Sequence, residues 1–172
     1  MIHILFFIES LSGGGAEKVL RDLVNAMDQT KFSVTVQTLY PEDAEKYLAP
    51  GIRYKYCYPA RSRFHNLQMR AEAALGLTYP LHIKDGYDIE AAYLECGSTK
   101  IMAGSTNQKA LKLAWVHTDL RNWANPDAFA AATKKYYVRY DFAVCVSESV
   151  RKSFEKLYGD TVQTATIYNT ID

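Results

Sequence analysis

Ile2-His3-Ile4-Leu5-Phe6-Phe7-Ile8 is an apolar run of strand length, followed by the turn-rich Ser12-Gly13-Gly14-Gly15 and then by Ala16, Val19, Leu20, Leu23, Val24 and Met27 at helical spacing. The order is strand, glycine turn, helix. Ser33 to Leu39, with Val34, Val36 and Leu39 among threonines, reads as a second strand, so the first forty residues predict a parallel β-α-β unit.

The same alternation continues along the chain. Arg53 to Tyr58 alternates and stops at Pro59, as a strand with one exposed face does. Arg61 to Leu77 has a mixed, helical pattern. After a turn at Lys84-Asp85-Gly86, Tyr87 to Leu94 reads as a strand, Gly97 to Gly104 as a short helix and Leu111 to Val116 as another strand. Asn125-Pro126 opens a helix that runs to Tyr136 or Tyr137, with proline in the first turn. Phe142 to Val146 is then strand, Ser147 caps a helix over Glu148 to Leu157, and Val162 to Tyr168 is strand again. About seven strands alternating with helices predict an α/β fold, a Rossmann-like three-layer sandwich around an open, mostly parallel sheet. Such sheets bind ligands beyond the carboxyl ends of their strands. Here those positions hold Ser10 to Gly15, Glu95 to Ser98, His117 to Asp119, and Ser147.

With 172 residues the chain is sized for one domain. Its 48% apolar and 23% charged residues suit a globular protein with a core and exclude a disordered one. Lys and Arg number 20 against 19 Asp and Glu, so no overall field draws in nucleic acid, and no nucleic-acid-binding signature appears. Cys57, Cys96 and Cys145 are odd in number and far apart, each in or beside an apolar stretch, and are expected to be reduced, buried thiols. The opening apolar run lacks a basic flank and meets Glu9 too early for a signal peptide. No apolar run approaches the ~20 residues of a membrane-spanning helix. These features place the chain in the cytoplasm, at most peripheral at the inner face of a membrane.

Gly13-Gly14-Gly15 permits close backbone approach, and the helix that follows offers unpaired N–H groups to an anion such as a phosphate. A turn chosen for geometry alone fits the same residues. Lys18 stands where the third glycine of a dinucleotide fingerprint would fall, and the Gly-Lys-Ser/Thr of a P-loop is missing. Glu17 in the first turn complements the positive helix end with or without a ligand. His117, at the mouth of the strand Leu111 to Val116, can donate to or accept from a sugar hydroxyl, or serve as a satisfied structural histidine. Asp119 orients substrate or caps the next helix, and capping is the simpler role. His3, His65 and His82 share no metal-like spacing with each other or with the cysteines, so no metal is expected. Arg61, Arg63, His65 and Arg70, mixed with Phe64, Leu67 and Met69, form either a basic amphipathic surface for anionic lipid or a lipid-linked acceptor, or more simply a solvated helix face.

Phe6 to Leu20, with its Gly-Gly-Ala-Glu core at Gly14 to Glu17, resembles the opening of the large retaining glycosyltransferase family numbered four. Ala114-Trp115-Val116-His117, Cys145-Val146-Ser147-Glu148-Ser149-Val150 and Ile167-Tyr168-Asn169-Thr170-Ile171-Asp172 match further family segments in the same order. The resemblance implies one half of a GT-B fold, residues 1–172 forming the amino-terminal, acceptor-side domain. The tail resembles the Asn-Pro-x-Asp stretch that leads to the second domain, with Thr170 in place of the usual proline.

By that resemblance Gly14 and Gly15 approach the donor diphosphate, Glu17 shapes the loop, and His117 faces the transferred sugar. The implied reaction moves a sugar from a nucleotide-diphosphate sugar to the hydroxyl of a saccharide or lipid-linked acceptor, with retention and without a required metal. Cell-envelope polysaccharide or glycolipid synthesis is the usual setting. The carboxyl-terminal domain would be a partner within the same chain, so residues 1–172 alone are expected to be inactive. The rival reading is a non-catalytic nucleotide- or anion-binding Rossmann-like module. A dehydrogenase-like domain ranks lower, because the dinucleotide fingerprint fails.

Overall fold

The computed structural model describes residues 1–83 and 86–169. Two sequence features, most of the Lys84-Asp85-Gly86 turn and Thr170-Ile171-Asp172, lie outside the described residues. Seven strands form one sheet: β1 (Ile2–Phe7), β2 (Phe32–Thr38), β3 (Arg53–Tyr56), β4 (Ile89–Ala92), β5 (Leu111–Val116), β6 (Phe142–Cys145) and β7 (Gln163–Thr166). Their spatial order is β3-β2-β1-β4-β5-β6-β7, and all the pairings are parallel. The expected Rossmann-like α/β sheet is present, and it is parallel throughout.

β1 is so apolar because it is central. It pairs with β2 on one side, Ile4 opposite Val34, and with β4 on the other, Ile4 opposite Ile89. Ile4, Leu5, Phe6, Phe7 and Ile8 are all buried, each side chain contributing about 1.5–3 kcal/mol by leaving water. The alternation of the strand sends Ile4, Phe6 and Ile8 into one apolar layer and Leu5 and Phe7 into the other.

The two layers are covered unequally. Helix α1 (Gly15–Ala26) lays Leu20 and Val24 on the first, joined by Tyr47, Leu48 and Ile52 from the β2–β3 connection. The opposite layer takes residues from five helices: α2 (Arg63–Leu75), α3 (Thr78–His82), α4 (Gly97–Met102), α5 (Pro126–Tyr137) and α6 (Glu148–Tyr158). Rings stack through it, with Phe154 and Tyr158 at 4.3 Å and Tyr137 and Phe154 at 4.9 Å between centroids.

Local chemistry sets the element ends. Asn125 caps α5 by accepting from Ala128 N at 3.3 Å, with Pro126 in its first turn, and Ser147 caps α6 by accepting from Val150 N at 3.2 Å. The expected helix over 61–77 is divided at Gly76, whose φ of +70° ends α2 in a left-handed turn before α3 begins. One expectation about the thiols fails. Cys57 and Cys145 are buried, whereas Cys96 is exposed, because it sits in the turn after β4 with a φ of +67° and not in the strand's apolar layer.

Candidate functional site

The order of the sheet reverses between β1 and β4, the pair where an open α/β sheet leaves a crevice above its carboxyl ends. The segment after β1 is held firmly. Leu11 is fully buried, its N–H donates to Glu42 Oε1 at 2.9 Å, and its carbonyl accepts from Arg21 Nη1 at 2.9 Å. Ser12 N donates to Ser10 Oγ at 3.1 Å. This anchoring fixes where the glycines stand.

The three glycines do different work. Gly13 has a φ of +123°, a conformation that a side chain rarely permits. Gly14 is the extended residue before α1, and a Cβ there would lie 2.3 Å from Glu17 Oε2. Glu17 therefore folds back over the helix start, where its charge complements the N-terminal N–H groups. A Cβ built on Gly15 would meet nothing within 4 Å.

His117 follows β5 and packs its ring on Tyr93, 4.9 Å between centroids. Glu95, only 4% exposed, fixes the backbone there: Oε1 accepts from His117 N at 2.6 Å, from Thr118 N at 2.8 Å and from Thr118 Oγ1 at 3.1 Å. Burial lowers the pKa of His117, and the Glu95 carboxylate, the Tyr93 backbone and Glu17 pull the other way without cancelling it. The imidazole is therefore neutral at pH 7. Its Nε2 is one of five buried side-chain polar atoms with no hydrogen-bond partner among the described residues. The influence of Glu17 on His117 places the glycine-loop helix and the end of β5 within electrostatic reach of each other, although 100 residues separate them.

Asp119 is used by the fold. It caps the short 3₁₀ turn Leu120–Asn122, accepting from Arg121 N at 3.1 Å, and its carboxylate is shared between the Arg121 guanidinium and the Ser153 hydroxyl. Those hydrogen bonds hold its pKa well below the usual carboxylate range. Among the described residues no three His, Cys, Asp or Glu side chains are grouped to hold a metal ion.

Two acidic residues of the crevice have roles that their sequence context does not reveal. One is Glu95, described above. The other is Glu9, whose carboxylate accepts the N–H groups of Gly97 and Ser98, while burial raises its pKa against them. It borders a cavity of about 340 Å³ with Leu39, Met69, Lys100 and Ile101. An acidic residue directly after a buried strand, as at Ile8-Glu9 and Leu94-Glu95, is the one sequence signal that marks both.

A seven-stranded parallel sheet with a glycine loop at its switch point and an imidazole beside it defines a Rossmann-like α/β domain. The chain belongs to Glycosyltransferase Family 4, whose sequence profile matches residues 13–172. Among solved structures it is similar to Anabaena HepE in complex with UDP-glucose, with 16% identity and a TM-score of 0.64 over 100% of this chain and 45% of that one. The same Anabaena protein with UDP and glucose gives 17% identity, a TM-score of 0.64 and the same coverage. The chain thus spans less than half the length of these solved relatives. No curated protein matches it. Among the described residues no helix is long and apolar enough to cross a membrane.

Proposed function

We propose that residues 1–172 form the acceptor-side wall of a retaining glycosyltransferase that moves a hexose from a nucleotide-diphosphate sugar to an acceptor hydroxyl, with a second Rossmann-like domain as the opposite wall. The observation that carries the proposal is His117: a neutral imidazole at the switch-point crevice with a buried, unpartnered Nε2. A sugar hydroxyl would satisfy that nitrogen. Family membership and the fold shared with HepE, solved with UDP-glucose, support a nucleotide sugar as donor.

In this reading the sugar–oxygen bond breaks as negative charge accumulates on the departing diphosphate. N–H groups in the first turn of α1 would face that charge, and Gly15, open around its Cβ position, would let a phosphate approach the backbone, whereas at Gly14 that space is taken by Glu17 Oε2. Glu17 keeps the loop and helix start in shape. Asp119 is left to the fold, since its carboxylate is already committed to Arg121 and Ser153. No metal has a step in the proposed chemistry. Cell-envelope polysaccharide or glycolipid assembly is the proposed setting, and residues 1–172 alone, lacking the main donor wall, would be inactive.

The test is a panel of sugar nucleotides offered to the protein extended past Asp172, following release of nucleotide diphosphate with and without His117→Ala. Release with one donor that collapses in the variant supports the proposal. Nucleotide binding with no release from any donor would favour the non-catalytic binding module instead.

A further inference from the structure

Under α2 the fold leaves the cavity of about 340 Å³ that Glu9 borders, where the carboxyl ends of β1 and β2 meet α2 and the start of α4. Its apolar lining comes from three elements. Leu39 follows β2, Met69 and Ala73 lie on the core side of α2, and Ile101 belongs to α4. A space of this size, apolar with a few convergent polar groups, is the usual form of a small-molecule site.

Three charged residues border the cavity: Glu9, Arg70 and Lys100. Glu9 is held by the N–H groups of Gly97 and Ser98, and glycine at 97 leaves room for its carboxylate, since a Cβ there would collide with Glu9 Oε1. A carboxylate committed to two amides keeps lone pairs for further donors. Among the described residues neither Arg70 nor Lys100 has a carboxylate within ion-pair distance. With Glu9 ionised, the two cations and one carboxylate leave a single positive charge unbalanced on the rim. Glu9 also borders a cavity of about 500 Å³ with Ser10 and Ser12 of the glycine loop, so it marks the side of the apolar cavity that meets the crevice.

We propose that this cavity binds a small hydroxylated carboxylate, with its hydroxyl on Glu9, its apolar body on Met69 and Ile101, and its carboxylate on Arg70 and Lys100. Each feature answers a group on the wall. A wholly apolar ligand would take water from Glu9 without replacing it, and a neutral one would leave the two cations unbalanced. A phosphate ester, with nearly two negative charges, would exceed the charge left once Glu9 is counted. The reversed orientation would set carboxylate against carboxylate at Glu9. That the ligand's hydroxyl receives the sugar rests on the transfer reaction proposed above, whereas the binding does not.

The test is calorimetric titration of the full-length protein, without donor, using 4-hydroxyphenylacetate, its neutral amide and phenylacetate. 4-Hydroxyphenylacetate is expected to bind roughly tenfold more tightly than either of the others. Arg70→Gln with Lys100→Gln should remove its advantage over the amide, and Glu9→Gln should cut its advantage over phenylacetate. Arg70 is exposed, and an unchanged thermal midpoint checks that the variants fold. Absence of binding, equal binding of acid and amide, or binding indifferent to the loss of both cations overturns the proposal. Release of nucleotide diphosphate stimulated by 4-hydroxyphenylacetate would support its hydroxyl as the acceptor. The expected binding pattern with no release from any donor supports the site and counts against the transfer reaction alone.

Discussion

Helices α1 and α2 are nearly equal in length, and both carry apolar residues at helical spacing, yet α1 lays its stripe on the core while α2 leaves one exposed. α1 turns Leu20 and Val24 into the apolar layer beneath β1 and β2, leaving Lys18 and Asp22 to pair at the surface. α2 turns Glu72, Gln68 and Asn66 inward to a hydrogen-bonded network, with Met69 and Ala73 beside them on the core, and sends Phe64, Leu67 and Leu75 outward. Periodicity thus identifies a helix and its stripe, but not whether the stripe meets the core. What decides is the partner surface: β1 offers α1 an apolar floor, while Tyr40, Tyr58 and His82 offer α2 polar groups that need partners.

The contrast can be broken most severely at Leu20. Leu20→Ala should cost about 2–5 kcal/mol of unfolding free energy, since the cavity opens under a fully buried side chain. Next comes the inward face of α2, where Glu72→Ala strands Tyr58 OH, Gln68 and His82. About 1–3 kcal/mol should be lost, although no apolar contact is removed. Gly13→Ala should cost about 1–2 kcal/mol, because alanine resists the φ of +123°. Leu67→Ala, equivalent to Leu20→Ala by pattern, should change stability by less than about 0.5 kcal/mol. Chemical denaturation of these four variants side by side measures the comparison. A Leu67→Ala loss as large as that of Leu20→Ala would show the two helices to be alike.

A smaller, pH-dependent effect should come from His117. Its pKa is lowered in the folded state, so the unfolded chain binds the proton more readily. Stability contributed by this group is complete above the ordinary histidine value of about 6.5 and is lost as pH falls below it towards the folded pKa. His117→Gln should flatten that part of the stability-against-pH profile, and an unchanged slope would remove His117 as its source.

Much of the fold was readable because the relevant forces act locally. A central strand needs apolar residues on both faces, and β1 has them. Asn125-Pro126 and Ser147 announce helix starts through side-chain bonds that span three residues. Other features depend on contacts across the chain. Glu95 meets His117 over 22 residues, Glu9 reaches the amides of Gly97 and Ser98, and the orientation of α2 depends on Tyr40, Tyr58 and His82. Such roles become visible only when the sheet brings its carboxyl ends together. The exposure of Cys96 is of the same kind, set by its turn and not by its apolar neighbours.

In the proposed reaction the free Nε2 of His117 belongs to a sugar. This is tested by ¹H–¹⁵N NMR of the His117 ring, recorded on the full-length protein before and after saturation with the sugar nucleotide that binds. A neutral ring at pH 7 is expected, whose Nε2 resonance alone shifts strongly on binding and does not shift with the nucleotide diphosphate lacking the sugar. An Nε2 resonance indifferent to the sugar would contradict it and return His117 to a structural role.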